Sequence, residues 1–202
     1  MDIQKILTDH AKWLANPTTG RRANLVRANL VRANLDHANL DHANLVGANL
    51  DHANLDHANL AYANLDRASL AHANLDHANL AHASLAGVSF TGASLNRATL
   101  PDGVPVIGDI DAAILAAIGE DASGLDMKDW HCGTTHCRAG WPVKLAGEAG
   151  AKLERRFGTG PAGALIYAAS RPGMPVPNFF ATNADALADL RKCAEMAEGQ
   201  TP

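Results

Sequence analysis

ANLVRANLVRANLDHANL, residues 23–40, puts Ala, Asn and Leu at fixed places in a five-residue period and leaves two freer positions in each period. The phase holds well beyond this stretch. From Ala23 to Asp102 the chain divides into sixteen consecutive quintets, with Ala usually first, Asn, Ser or Thr second, and Leu usually third. Such self-similarity has to be explained before anything else in the chain. On an α-helix a residue advances by about 100°, so leucines five apart would wander around the axis and form no stripe. In a flat strand, side chains alternate faces, so an odd period would send Leu30 to the side opposite Leu25. A chain that turns a corner every five residues satisfies all the quintets. It aims each Ala and Leu at a common axis and leaves the last two residues facing water, which describes a solenoid.

The same run resembles the pentapeptide-repeat proteins, whose consensus is Ala-(Asn/Asp)-Leu-x-x, over about 80 of the 202 residues. The resemblance implies a right-handed, four-sided β-helix in which four quintets make one coil, here about four coils. The fold class expected is therefore mainly β with α caps. The core expected is Leu25, Leu30, Leu35, Leu40, Leu45, Leu50, Leu55, Leu60, Leu65, Leu70, Leu75, Leu80, Leu85, Phe90, Leu95 and Leu100. Within it Val88-Ser89-Phe90 departs from the pattern, and Phe90 has to fill more volume than a leucine.

Three parts follow: residues 1–20 as an N-terminal capping helix, 21–102 as the β-helix, and 103–202 as an α-helical domain. In IQKILTDHAKWL, residues 3–14, Ile3, Ile6, Leu7 and Leu14 fall at helical spacing, Asn16-Pro17 stops the helix, and Gly20 hands the chain to the first quintet. A cover of this kind answers a physical need, because a bare solenoid end exposes interior leucines and unpaired backbone. After Pro101-Asp102-Gly103 the periodicity becomes helical. DIDAAILAAIG offers Asp109 as N-cap and Gly119 as stop. Further helices are expected over 138–145, 149–157, 161–169 and 184–198, with Pro161 suited to a first turn and Pro142 expected to end or kink its segment.

With four quintets per coil, residues twenty apart stack at about 4.8 Å, the strand-to-strand spacing. The outward fifth positions then form four columns. One carries His37, His57, His77 and Arg97; a second Arg22, His42, Tyr62, His82 and Asp102; a third Arg32, His52, His72 and Gly92; a fourth Arg27, Gly47, Arg67 and Gly87. His37, His57, His77, Arg97, His42, Tyr62, His82, His52 and His72 are the candidates for an interaction wall. Stacked imidazoles beside Asp36, Asp56 and Asp76 are also of a type that binds divalent metal, although a solvated wall of freely varying residues explains them as well. Between residues 21 and 100 six arginines face six aspartates. Because histidine ordinarily gains charge between pH 8 and 5, the electrophoretic mobility is expected to turn markedly more cathodic from pH 7.5 to 5.5. A mobility that barely moves over that interval would contradict this reading of the wall.

Members of the resembling family that act on DNA gyrase do so as rod-like dimers with acidic, duplex-like surfaces, a role that needs a dense line of negative charge. Here arginine and aspartate cancel, the second quintet position is never Asp, and four coils span only about 19 Å at that stacking distance. Gyrase mimicry is therefore the second reading of function. Direct nucleic-acid binding is not expected of a chain with net charge −4 and no basic stripe.

A third reading rests on HCGTTHC, where His131, Cys132, His136 and Cys137 are of types that zinc accepts. A Cys–His nucleophile or a redox pair is the catalytic variant. Burial in a helical core beside Trp130 and Trp141, with Thr134 or Thr135 capping the next helix, is the structural one. This stretch, with LAGEAG, LIYAAS and ADLRKCAE, resembles a helical module of unassigned activity that follows pentapeptide repeats in some bacterial and phage proteins. HAKWLAN, leading into RRANL, resembles the matching leader.

The first reading is a non-enzymatic scaffold with a protein partner, with no catalytic residues and no cofactor expected. No apolar run reaches the 18 residues of a membrane helix, and the N-terminus has no secretory pattern. Three cysteines do not make a disulfide framework. A cytoplasmic protein off the membrane is expected, with a homodimer as one possible state.

Overall fold

The computed structural model describes residues 1–119, 124–126 and 138–198. They form two compact units, one of residues 1–102 with 173–175, the other of the described residues within 103–172 and 176–198. In the first unit the second-position residues pair in parallel, twenty apart, from Asn24 with Asn44 to Asn79 with Thr99. A corner every five residues and a partner every twenty give four sides per coil.

The backbone hydrogen bonds explain the period. In the quintet 43–47 the Ala43 N–H donates to Leu40 C=O at 2.9 Å, closing the corner. Asn44 N–H donates to Ala23 one coil earlier at 3.0 Å, while Leu45 and Gly47 donate to Asn64 and Asp66 one coil later at 2.7 and 2.9 Å. The remaining N–H, of Val46, donates to the Asn44 side chain at 3.3 Å. All five donors of the quintet are thereby satisfied, as a narrow, close-packed coil requires. Each side has room for a single bridging residue between corners. The β content is accordingly isolated bridges rather than the extended strands that "mainly β" suggests.

At three of the four Ser second positions, Ser69, Ser84 and Ser94, the missing side-chain acceptor is replaced from the preceding coil. The Ser69 hydroxyl donates to Asp51, and the same carboxylate accepts from Ala71 N–H at 3.2 Å. Asp66 serves Ser84 and Ala86 in this way, and Asp76 serves Ser94 and Asn96. The interior is Ala and Leu except at Val88 and Phe90. Fifteen of the sixteen expected core residues are buried, Phe90 among them at 2% exposure, and Val88 is buried beside it. Leu100 is the exception and is half-buried, because the repeat ends at Asp102 and no further quintet stacks on it.

Helix α1, Ile3–Ala15, starts where the Asp2 carboxylate accepts from Lys5 N–H at 3.0 Å and ends at Asn16. Gly20 then adopts φ +67°, and a side chain there would strike the Asp9 carbonyl at 2.2 Å. The expected apolar face is only half-buried. The one buried residue of α1 is His10, which the apolar pattern did not mark. Its Nδ1 accepts from Ala23 N–H at 3.1 Å, tying the helix to the first quintet, and its ring stacks on Trp13. Burial lowers the His10 pKa from its ordinary 6.5, with the main chain and carboxylate of Asp41 opposing the shift in part. A depressed histidine leaves stability intact above pH 6.5. Below it the unfolded chain takes up a proton that the folded chain refuses, so stability falls with pH. Thermal unfolding from pH 7.5 to 5.5 is expected to show a smaller loss for His10→Gln than for the parent chain. Equal losses would mean that His10 is not the titrating group.

The second unit contains α2 (Ile110–Ile118), α3 (Gly140–Leu145), α4 (Gly147–Phe157), α5 (Thr159–Ser170) and α6 (Asn183–Glu198). α3 packs on α2, α4 and α5, α4 on α5, and α2 on α6. Two local expectations need correction. Asp109 stands before α2 in a left-handed conformation, φ 44°, and its side chain makes no capping bond. Pro142 lies in the first turn of α3 instead of breaking it, where its missing N–H has no helical partner to lose. Ile114, Ile118, Leu153, Phe157, Leu165, Ile166 and Leu190 fill the interior. Within it is a charged cluster: Arg138, 1% exposed, donates to the Tyr167 hydroxyl at 3.2 Å, to Asp111 at 3.4 Å and to Asp189, while Arg171 donates to Asp111 at 2.7 Å. Burial disfavours the Arg138 charge, but Tyr167 and Asp189 outweigh it and hold the pKa above its ordinary value.

Candidate interaction wall

Fifteen of the sixteen fifth positions have a left-handed backbone, twelve of them with non-glycine side chains at φ 54–60°. That conformation costs a non-glycine residue roughly 1–2 kcal/mol. It also points the side chain straight off the corner and sets it above its counterpart twenty residues earlier. His37 and His57 stack with centroids 4.7 Å apart and planes 10° off parallel; His57 and His77 stack at 4.5 Å and 3°. His42, Tyr62 and His82 continue the second column at 4.9 and 4.7 Å, and His52 and His72 pair in the third at 5.0 Å. An aromatic pair contributes about 0.5–1.5 kcal/mol beyond burial, enough to offset much of the backbone cost. At positions 47, 87 and 92 glycine avoids it, whereas Arg27, Arg32, Arg67 and Arg97 carry it. Gly92 follows His72 in its column, and the His72 Nδ1 would be 2.4 Å from any added Cβ.

Five of the six fourth-position aspartates fall into two groups. Asp51, Asp66 and Asp76 are engaged with Ser hydroxyls and main-chain N–H groups, as described above. Asp41 and Asp56 each hold a buried Oδ1 with no hydrogen-bond partner among the described residues. Those atoms lie 3.8 Å from His42 Nε2 and 3.7 Å from His57 Nε2. Asp36 faces His37 at 3.7 Å, and Asp102 faces His82 at 3.8 Å. Tyr62 stands 52% exposed between its two histidines, and Arg97 follows His77 in the first column. The fourth column places the Arg27 stem over Gly47 and the Arg67 stem over Gly87. His52 and His57, neighbours in the sequence, therefore belong to different columns.

His131, Cys132, His136 and Cys137 lie outside the described residues, as does Trp130. Trp141 is buried and donates from its indole N–H to the Gly124 carbonyl at 3.0 Å. Cys193 is buried and free of any disulfide among the described residues, and burial pushes its thiol pKa up.

The family model for pentapeptide repeats matches eight copies over residues 23–61 and 63–101. The chain carries a pentapeptide-repeat domain. The match to this domain ends at residue 101 and does not reach the helical unit. Among solved structures, the domain is similar to HetL, a pentapeptide-repeat protein involved in heterocyst differentiation regulation in the cyanobacterium Nostoc. The identity is 35% over 41% of this chain and 46% of that one, with a TM-score of 0.20. This chain thus spans about half the length of HetL. A second Nostoc pentapeptide-repeat protein is 29% identical over 50% of this chain and 86% of its own, with a TM-score of 0.28. One from the thylakoid lumen of Arabidopsis thaliana is 25% identical over 45% and 66%, with a TM-score of 0.20. No protein of curated function matches the chain. No helix among the described residues is long and apolar enough to cross a membrane.

Proposed function

We propose that the chain is a non-enzymatic scaffold, its pentapeptide-repeat domain coiled in the right-handed sense of its family, that presents the solenoid wall to a protein partner in the cytoplasm. The observation that carries this reading is the column register. Backbone hydrogen bonds hold His37, His57 and His77, His42, Tyr62 and His82, and His52 and His72 in stacked rows on separate faces. Rigid aromatic and polar groups at fixed spacing give a partner contact area at little entropic cost. The solenoid interior is lined by buried Ala and Leu side chains, with Val88 and Phe90 among them.

The charge pattern favours this over mimicry of duplex DNA. Asp51, Asp66 and Asp76 spend their carboxylates on the next coil, and arginine balances aspartate along the wall. The helical unit is taken as the companion module that the sequence resemblance suggests. The test replaces Tyr62 with a photo-crosslinking phenylalanine analogue in cells that express the chain. A discrete protein adduct is expected that disappears when His42→Asn and His82→Asn are added beside it. No adduct, or one that survives those changes, would overturn the reading.

A further inference from the structure

Asp56 Oδ1 is buried against the wall with no hydrogen-bond partner among the described residues, and it lies 3.7 Å from His57 Nε2. An anionic oxygen in that state costs free energy unless something positive meets it. Directly over His57 stands His77, its ring 4.5 Å away and nearly parallel. One ligand atom from each of Asp56, His57 and His77 lies within 4.8 Å of the other two, the only such trio of metal-ligating side chains among the described residues.

We propose that Asp56, His57 and His77 form a surface site for a divalent first-row transition metal ion of the zinc type. Two imidazoles and one carboxylate are the donor set that such ions take, with the remaining position left to water. Bonds of about 2.0–2.2 Å to a tetrahedral ion put its ligands roughly 3.5 Å apart. The three groups therefore have to close by about an ångström. Rotation of the two exposed imidazoles about their side-chain torsions supplies that movement, while the coil ladder keeps the backbone fixed.

The neighbouring columns show why the site falls here. Asp51, beside the stacked pair His52 and His72, is taken up by Ser69 and Ala71, so that pair has no available carboxylate. Asp41 beside His42 is as unpartnered as Asp56, but the ring stacked on His42 is Tyr62, which is not an imidazole. Asp76, beside His77, is held by Ser94 and Asn96. Only at Asp56 does an uncommitted carboxylate meet two consecutive histidines with all three ligand atoms inside that distance.

Zinc chloride titrated calorimetrically into the full chain carrying Cys132→Ser and Cys137→Ser, at pH 7.5, tests the site without contribution from HCGTTHC. One equivalent is expected to bind. His57→Asn and His77→Asn are each expected to weaken it at least about tenfold, since even a partner that merely supports a metal ligand is worth about 10–100-fold in affinity. Asn tolerates the left-handed backbone at these corners. His72→Asn is expected to leave binding unchanged, and melting curves report whether each variant keeps its fold. If the cysteine double variant does not fold, the same histidine substitutions in the parent chain are expected to lower the zinc stoichiometry by one. No zinc uptake, uptake indifferent to His57→Asn and His77→Asn, or equal weakening by His72→Asn would overturn the assignment.

Discussion

Arg138→Ala is expected to destabilise the helical unit by about 3–5 kcal/mol, the cost of removing one partner from a buried charge cluster. Against a total stability of roughly 5–15 kcal/mol for a domain, that places the variant near unfolding. Arg138 is 1% exposed and, among the described residues, reaches the Tyr167 hydroxyl, Asp111 and Asp189. Its guanidinium also lies 5.5 Å from the Tyr167 ring centroid. Arg171 still reaches Asp111 in the variant, so Asp189 and the Tyr167 hydroxyl lose the most. Arg138→Lys is expected to recover only part of the loss, because a single ammonium does not reproduce the fork that spans these acceptors. Urea unfolding followed by circular dichroism measures the change. A shift below about 1 kcal/mol, the range of an exposed ion pair, would mean that the cluster is solvated.

The second large effect belongs to the solenoid. Leu60→Ala is expected to cost about 2–5 kcal/mol, the range for a buried leucine whose cavity cannot collapse. Leu60 is fully buried, with coils before and after it. The ladder fixes the coil backbone at 2.7–3.1 Å hydrogen bonds around it, so neighbouring groups have little freedom to move in. Leu100→Ala makes the internal control, since Leu100 is half-buried in the last coil, and it is expected to cost clearly less. Denaturant titration of both variants reads the difference. Equal losses would mean that stability is insensitive to position along the coil stack.

The sequence made the solenoid legible because every quintet repeats the same local physics. Leu25 and Leu65 answer to the same corner and the same interior, so no long-range guess is needed. The columns were legible for the same reason once residues twenty apart were compared. The pairing of Ser69, Ser84 and Ser94 with Asp51, Asp66 and Asp76, each eighteen residues earlier, was present in the sequence too. Charge alone does not reveal it, because an aspartate's role as an acceptor depends on the residue one coil later.

His10 escaped for a different reason. A helix read by its apolar face marks Ile3, Ile6, Leu7 and Leu14, whereas the contact that anchors α1 is a single imidazole accepting from Ala23. In the helical unit nothing local announces that Arg138 will meet Asp111 and Asp189, which lie 27 and 51 residues away. Pro142 looks like a breaker in the sequence because composition does not show that α3 begins only at Gly140.

The register of the wall is tested most directly by nuclear Overhauser contacts between imidazole protons in a histidine-labelled sample of the full chain. Cross-peaks are expected between His37 and His57, between His57 and His77, and between His52 and His72, whose ring centroids lie 4.5–5.0 Å apart. None is expected between His52 and His57, which stand in different columns. Cross-peaks that join His52 to His57 while the pairs twenty residues apart stay silent would contradict the four-quintet coil on which the wall depends.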